Sequence, residues 1–279
     1  MIFDTEEGKT MSKLTAGWKA YLIDLDGTLY HGNRMILGAD RLISDLQAAD
    51  IPYLFVTNNS SRTPAEVAAH LQQLGIPADE EHVCTSAVAA AQYVAEQYPG
   101  SKVAPIGENG LLEALREAGI TCDEQHPDVV IQGIDRSFTY EKLTKAARTI
   151  ASGARYVLTN PDLQLPAQDG LMPGAGTIAA AIKAASGVEP IVIGKPSGIL
   201  MKFAIDRLGL RNKEVAVIGD NMLTDISAGV NAGCGTILVL TGVTTEQNLE
   251  QYVAGTGIQP DVICGDLDEV RKLVCGRGF

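Results

Sequence analysis

The sequence predicts an α/β protein: a doubly wound parallel-sheet core with a second, smaller α/β domain inserted into it. Three observations lead there. Short apolar runs of strand length alternate with stretches of helical periodicity, a pattern that builds parallel sheets covered on both faces. Several of those runs stop abruptly in acidic or polar residues, and in such sheets ligands bind outside the carboxyl ends of the strands. At 279 residues, 46% of them hydrophobic and 20% charged, the chain is long enough for one large globular domain or two smaller ones.

Residues 1–18 carry Asp4, Glu6 and Glu7 and no apolar run of signal-peptide length, and are read as an N-terminal arm. Next comes Tyr21-Leu22-Ile23-Asp24-Leu25-Asp26-Gly27-Thr28, an apolar strand running into two carboxylates one residue apart. Burying an unpaired charge costs several kcal/mol, so this strand end needs a reason for its acids. Leu29-Tyr30 and Met35-Ile36-Leu37 flank His31-Gly32-Asn33-Arg34, which predicts a hairpin over the aspartates. Leu42, Ile43, Leu46 and Ala49 place a helix over 39–50. Pro52 to Val56 is a second buried strand, ending in Thr57-Asn58-Asn59-Ser60. Thr63-Pro64-Ala65-Glu66 is a capping box that opens a helix running to Gly75. A third strand, Val83–Thr85, leads to a helix capped by Ser86 and running to Gln97.

The inserted domain is placed at 99–190. It contains strands at Val103–Ile106, Val129–Ile131 and Tyr156–Leu158, helices at Leu111–Ala118 and Tyr140–Ala151, and a Pro- and Gly-rich loop from Asn160 to Gly176. The core is then 19–98 together with 191–279. Ile191-Val192-Ile193 returns to the first sheet and ends in Gly194-Lys195-Pro196. Val215 to Ile218 ends in Gly219-Asp220-Asn221, with Thr224-Asp225 opening the next helix. Thr236–Leu240 and Val262-Ile263 add two more strands before the last helix, Leu267–Val274.

Four polar strand ends would therefore share one cleft. Clustered carboxylates repel by roughly 4 kcal/mol per pair at 4 Å and an effective dielectric near 20, so they call for a cation. Oxygen ligands without His or Cys favour magnesium over zinc, and magnesium characteristically shares a substrate phosphate. Lys195 and the amides near Thr57 would hold the remaining phosphate oxygens. A calcium loop is the rival metal reading, but Asp24-Leu25-Asp26-Gly27 lacks the later acids of an EF-hand and follows a strand. Gly174-Ala175-Gly176-Thr177-Ile178-Ala179 fits a dinucleotide fingerprint without a sufficient strand before it, so nicotinamide binding is set aside.

Asp24-Leu-Asp-Gly-Thr, Thr57-Asn-Asn, Gly194-Lys195-Pro and Gly219-Asp220-Asn-Met-Leu-Thr-Asp225, in that order, resemble the motifs of the haloacid dehalogenase (HAD) superfamily. The insertion resembles the cap of its NagD-type, class IIA phosphatases. The resemblance runs from about Ala20 onward and implies a Rossmann-like core with a cap. It also implies roles. Asp24 is the nucleophile, and Asp26 the acid that protonates the leaving alcohol and then the base that activates water. Asp24, the Asp26 main-chain carbonyl and Asp220 hold Mg2+, with Asn221 and Asp225 behind them. Gly27, Thr57, Asn58, Asn59 and Lys195 bind the phosphoryl group, and Lys195 neutralises its charge.

The implied activity is Mg2+-dependent hydrolysis of a small phosphorylated metabolite through an aspartyl phosphate. Polar cap residues Asp162, Gln164 and Gln168, without arginine or aromatics, point to a sugar phosphate, glycerol phosphate or nucleoside monophosphate. A dehalogenase needs neither the second aspartate nor a metal. A phosphotransferase or mutase would share the intermediate and differ in its acceptor, whereas a metabolite-binding regulator predicts a broken motif set, and no motif here is broken.

A net charge of −12 with no run of five Lys or Arg argues against nucleic acid and anionic membranes as partners. No apolar run approaches membrane-spanning length. Cys84, Cys122, Cys234, Cys264 and Cys275 form no CxxC pair, and the odd count reads as reduced thiols in a cytoplasmic protein. A homodimer formed through the cap is the remaining partner considered.

Overall fold

The computed structural model describes residues 17–167 and 170–276. The expected arm at 1–18 lies almost wholly outside them, and so does Gln168. The described chain forms two compact units, one within Met1–Val56, Ala69–His82 and Met201–Phe279, the other Thr57–Ala68 and Val83–Leu200.

In the first unit the strands pair in parallel in the order Val262–Cys264, Gly235–Val239, Val215–Gly219, Ala20–Ile23, Tyr53–Thr57. Ala20–Ile23, an inner strand flanked on both sides and called the central strand below, is registered Ala20 on Val215 and Ile23 on Ile218, with Ile23 facing Phe55 on its other side. Ala20, Leu22, Ile23, Val215 and Ile218 are wholly buried, which is why these runs are apolar without alternation. Helices Ala39–Ala48 and Leu267–Cys275 pack together and are joined by an Asp45–Arg271 ion pair of 2.5 Å. The predicted hairpin is present, with Tyr30–His31 antiparallel to Arg34–Met35.

The second unit carries a five-stranded parallel sheet ordered Ile191–Val192, Arg155–Leu158, Val129–Gln132, Lys102–Ile106, Thr121–Cys122. Helices Tyr140–Ala151 and Ala175–Ser186 pack against each other, and Ala146, Ile150, Ala179 and Ile182 join Val130, Tyr156 and Leu158 in its core. Three expectations change. Ile191–Val192 does not return to the first sheet but pairs with Val157–Leu158 as an edge strand. The stretch expected to be a loop contains the antiparallel ribbon Gln164–Ala167 with Gly170–Pro173, two strands whose prolines mask them in sequence. The helix Ser86–Gln97 is capped by Thr85, which accepts from the Val88 amide, while the Ser86 hydroxyl donates to the Asn58 carbonyl.

The capping box at Thr63 closes as predicted: the Thr63 amide donates to Glu66 Oε2 at 2.7 Å, and the Glu66 amide to Thr63 Oγ1 at 3.2 Å. Thr63→Ala is expected to cost about 1 kcal/mol, which lowers Tm by roughly 2–4 °C in a chain of this size. A thermal melt unchanged within half a degree (about 0.2 kcal/mol) would show that the cap contributes nothing.

Candidate active site

Asp24 follows directly on the central strand of the first unit, where its amide donates to the Ile218 carbonyl at 2.9 Å. Asp24 is buried, at 8% exposure, and Asp220 and Asp225 at 1% each. One carboxylate oxygen from each of the three lies within 4.8 Å of the other two. Each pair then repels by about 3 kcal/mol at an effective dielectric near 20. The donor set is all oxygen, convergent and buried, which fits a hard divalent cation and disfavours the softer metals.

Neutral groups hold these acids in place. The Thr28 hydroxyl, wholly buried, lies 3.1 Å from Asp220 Oδ1 and 3.5 Å from Asp24 Oδ2. The Val243 amide donates to Asp220 Oδ2 at 2.6 Å, and the Thr244 amide to the Asp220 carbonyl at 3.0 Å. Thr241 Oγ1 donates to the Gly27 carbonyl at 2.8 Å, and His31 Nε2 lies 2.7 Å from the Thr241 carbonyl. The turn after strand Gly235–Val239 thus grips both Asp220 and the Gly27 end of the opening motif. Sequence reasoning misses every member of this turn, because their contribution is largely through backbone groups that every residue has.

Glycines make the approach close enough. A Cβ on Gly27, whose φ is +91°, would lie 2.5 Å from Asp220 Oδ2. On Gly242 it would overlap the Asp220 carboxyl group, and on Gly219 the Asp225 side chain. Asp225 reaches inward because Met222–Ile226 is a π-helical turn rather than the start of an α-helix at Thr224. Its Oδ2 accepts from the Asn221 amide at 3.1 Å. The Asn221 side chain caps this turn, accepting from the Leu223 amide at 2.9 Å. Asp26 is exposed, and its main chain bridges to Tyr30.

In the second unit Lys195 is buried at 4% exposure. Asn58 is committed to it: Asn58 Oδ1 accepts from the Lys195 amide at 2.8 Å, and Nδ2 donates to the Lys195 carbonyl at 3.1 Å. The other Nδ2 proton goes to Asp162 Oδ2 at 3.0 Å. Both side-chain donors of Asn58 are therefore used within the protein. Asn59 Oδ1 accepts from the amides of Ser61 and Arg62, each at 3.0 Å, and so builds the turn. Thr57, half-buried, accepts from the Asn59 amide at 3.1 Å. Gln164 is exposed at the start of the ribbon.

The dinucleotide-like glycines serve packing. A Cβ on Gly174 or Gly176 would strike the carbonyls of Asp162 and Pro161, and the strand before them is half of an antiparallel ribbon. Burial pushes the Cys264 thiol up to about 12, and the Cys234 and Cys275 thiols to about 11. None of these three is an activated nucleophile at neutral pH.

Residues 21–121 match the family model of haloacid dehalogenase-like hydrolases, and residues 192–270 a second, HAD-hydrolase-like model. The chain is 46% identical over 232 residues to a protein of Bacillus subtilis named 5'-nucleotidase YutF, covering 83% of this chain and 91% of that one. It is 43% identical over 256 residues to an acid sugar phosphatase of Staphylococcus saprophyticus, covering 91% and 97%. A solved p-nitrophenyl phosphatase from Archaeoglobus fulgidus superimposes with a TM-score of 0.86 at 37% identity, covering 91% and 98%.

Proposed function

Since the chain belongs to the haloacid dehalogenase-like hydrolases and is a phosphoric monoester hydrolase of their NagD type, we propose that it hydrolyses small phosphomonoester metabolites through an aspartyl phosphate, with Mg2+ as its metal. One observation carries the reading: Asp24, Asp220 and Asp225 bring their carboxylates within 4.8 Å in a buried site. Asp24, Asp220 and the Asp26 carbonyl would hold the ion, with Asp225 behind Asp220. Bound there, Mg2+ offsets the charge of the carboxylates and of the substrate phosphate.

Asp24 attacks phosphorus with a carboxylate oxygen, and the bond to the leaving alkoxide breaks. Asp26 enters this step protonated and gives its proton to the leaving oxygen. Water then attacks phosphorus, Asp26 takes up its proton, and the Asp24–phosphorus bond breaks to release phosphate. Thr57 and Lys195 orient the phosphoryl group and balance its charge, which is most of what phosphoryl transfer asks of a protein. Substrate choice is assigned to the cap, 99–190. Relatives named for nucleotides and sugars favour a sugar phosphate or a nucleoside monophosphate over a protein substrate.

Chelation tests the metal. EDTA followed by gel filtration is expected to lower turnover of p-nitrophenyl phosphate by at least about a hundredfold, and added Mg2+ to restore it. Turnover that persists without divalent ions would sink the reading.

A further inference from the structure

We propose that Asp162 is a positioning residue for Lys195, acting through the carboxamide of Asn58, and not a contact to the leaving group. The inference rests on the reading of Lys195 as the cation that neutralises the phosphoryl group.

The Asn58 amide plane lies across Lys195 as a neighbouring strand would, accepting from its N–H at 2.8 Å and donating to its C=O at 3.1 Å. This pairing fixes the amide orientation, since the flipped rotamer would set NH2 against N–H and oxygen against oxygen. Gly194 makes room for it: a Cβ there would lie 2.5 Å from Asn58 Oδ1 and 2.6 Å from the Thr159 carbonyl. Asp162 Oδ2 anchors the far side, taking a hydrogen bond from Asn58 Nδ2 at 3.0 Å and another from Asn160 Nδ2 at 2.7 Å. Asn160 is itself 4% exposed and accepts from Thr159 Oγ1 at 2.9 Å. A carboxylate between two amides makes charge-assisted bonds, stronger than a neutral acceptor would give. The chain of contacts Asn160, Asp162, Asn58, Lys195 thus sets the backbone from which the lysine side chain departs.

A leaving-group contact and a positioning role differ in what they do across substrates. Loss of a leaving-group contact changes kcat/KM by a different factor for each alcohol. Displacement of Lys195 weakens every phosphomonoester alike, and weakens inorganic phosphate too.

The test measures kcat/KM for p-nitrophenyl phosphate, glycerol phosphate and a nucleoside monophosphate, together with the inhibition constant of orthophosphate. Asp162→Ala is expected to lower all three kcat/KM values by one common factor of about ten to a hundred, and to raise the phosphate inhibition constant. Asp162→Asn keeps an acceptor for both amides and is expected to stay within about threefold of the parent. If Asp162→Ala does not fold, Asn58→Ser carries the same comparison. Factors that differ tenfold or more between substrates, or an unchanged phosphate constant, overturn the inference. Lys195→Ala separates the two levels: if it leaves phosphate inhibition and turnover intact, the reading of Lys195 fails. If only Lys195→Ala is impaired, the positioning role alone fails.

Discussion

Asp24→Asn is expected to lower kcat/KM for p-nitrophenyl phosphate by at least about a thousandfold, because on the proposed mechanism it removes the nucleophile and not merely a contact. The same substitution is expected to raise the melting temperature of the metal-free protein. Asp24 sits with Asp220 and Asp225 in a cluster whose carboxylates lie within 4.8 Å. Removing its charge relieves two repulsions of about 3 kcal/mol each at an effective dielectric near 20, reduced by whatever the surrounding donors already offset. The new carboxamide oxygen can still accept from the Thr28 hydroxyl. Each kcal/mol of relief raises Tm by roughly 2–4 °C in a chain of this size. The opposite signs make the test specific. Activity and stability falling together would mean that the substitution had simply damaged the fold.

Gly27→Ala is expected to lower kcat/KM by at least about a hundredfold. It should also cost about 1–3 kcal/mol of stability, since a well-packed site yields only by moving side chains off their rotamers. The new methyl would lie 2.5–2.7 Å from the three atoms of the Asp220 carboxyl group, and φ at this residue is +91°. Displaced, Asp220 loses the Val243 amide at 2.6 Å that aims it. Gly32→Ala is the matched control, because Gly32 also has a positive φ, +57°, but nothing lies within 4 Å of its Cβ position. That variant is expected to lose about 1–2 kcal/mol of stability at most and to keep turnover within about threefold. Equal losses of turnover in the two variants would show that backbone strain, not the approach to Asp220, decides the outcome.

Much of this arrangement is legible in sequence because its chemistry sits where strands end. The runs before Asp24 and Asp220 are apolar on both faces, and an acid there stands out against its neighbours. What is not legible depends on contacts that sequence does not encode locally. Ile191–Val192 is an apolar run like the others, and nothing in two residues says which sheet it joins. Asn58 is expected to bind phosphate through the resemblance of Thr57-Asn-Asn to the family's motif. Only the fold shows both its donors spent on Lys195 and Asp162. Asp225 is expected behind the metal ligands at the opening of a helix, whereas it lies in a π-helical turn with a carboxylate oxygen within 4.8 Å of those of Asp24 and Asp220. The turn at Thr241–Thr244 works largely through amide hydrogens and leaves no trace in sequence for that reason.

The register of the central strand carries a consequence for synthesis. Ala20 pairs with Val215, so the first strand's neighbour on that side is encoded about 195 residues later. At roughly 5–20 residues per second, a ribosome needs on the order of 10–40 s to deliver it. Through that interval Tyr21, Leu22 and Ile23 have an open edge toward which any other apolar strand can add, while Asp24 still lacks both of its acidic partners. The sheet is therefore completed only late in translation, and on the proposed mechanism turnover begins only after the segment bearing Asp220 and Asp225 has emerged.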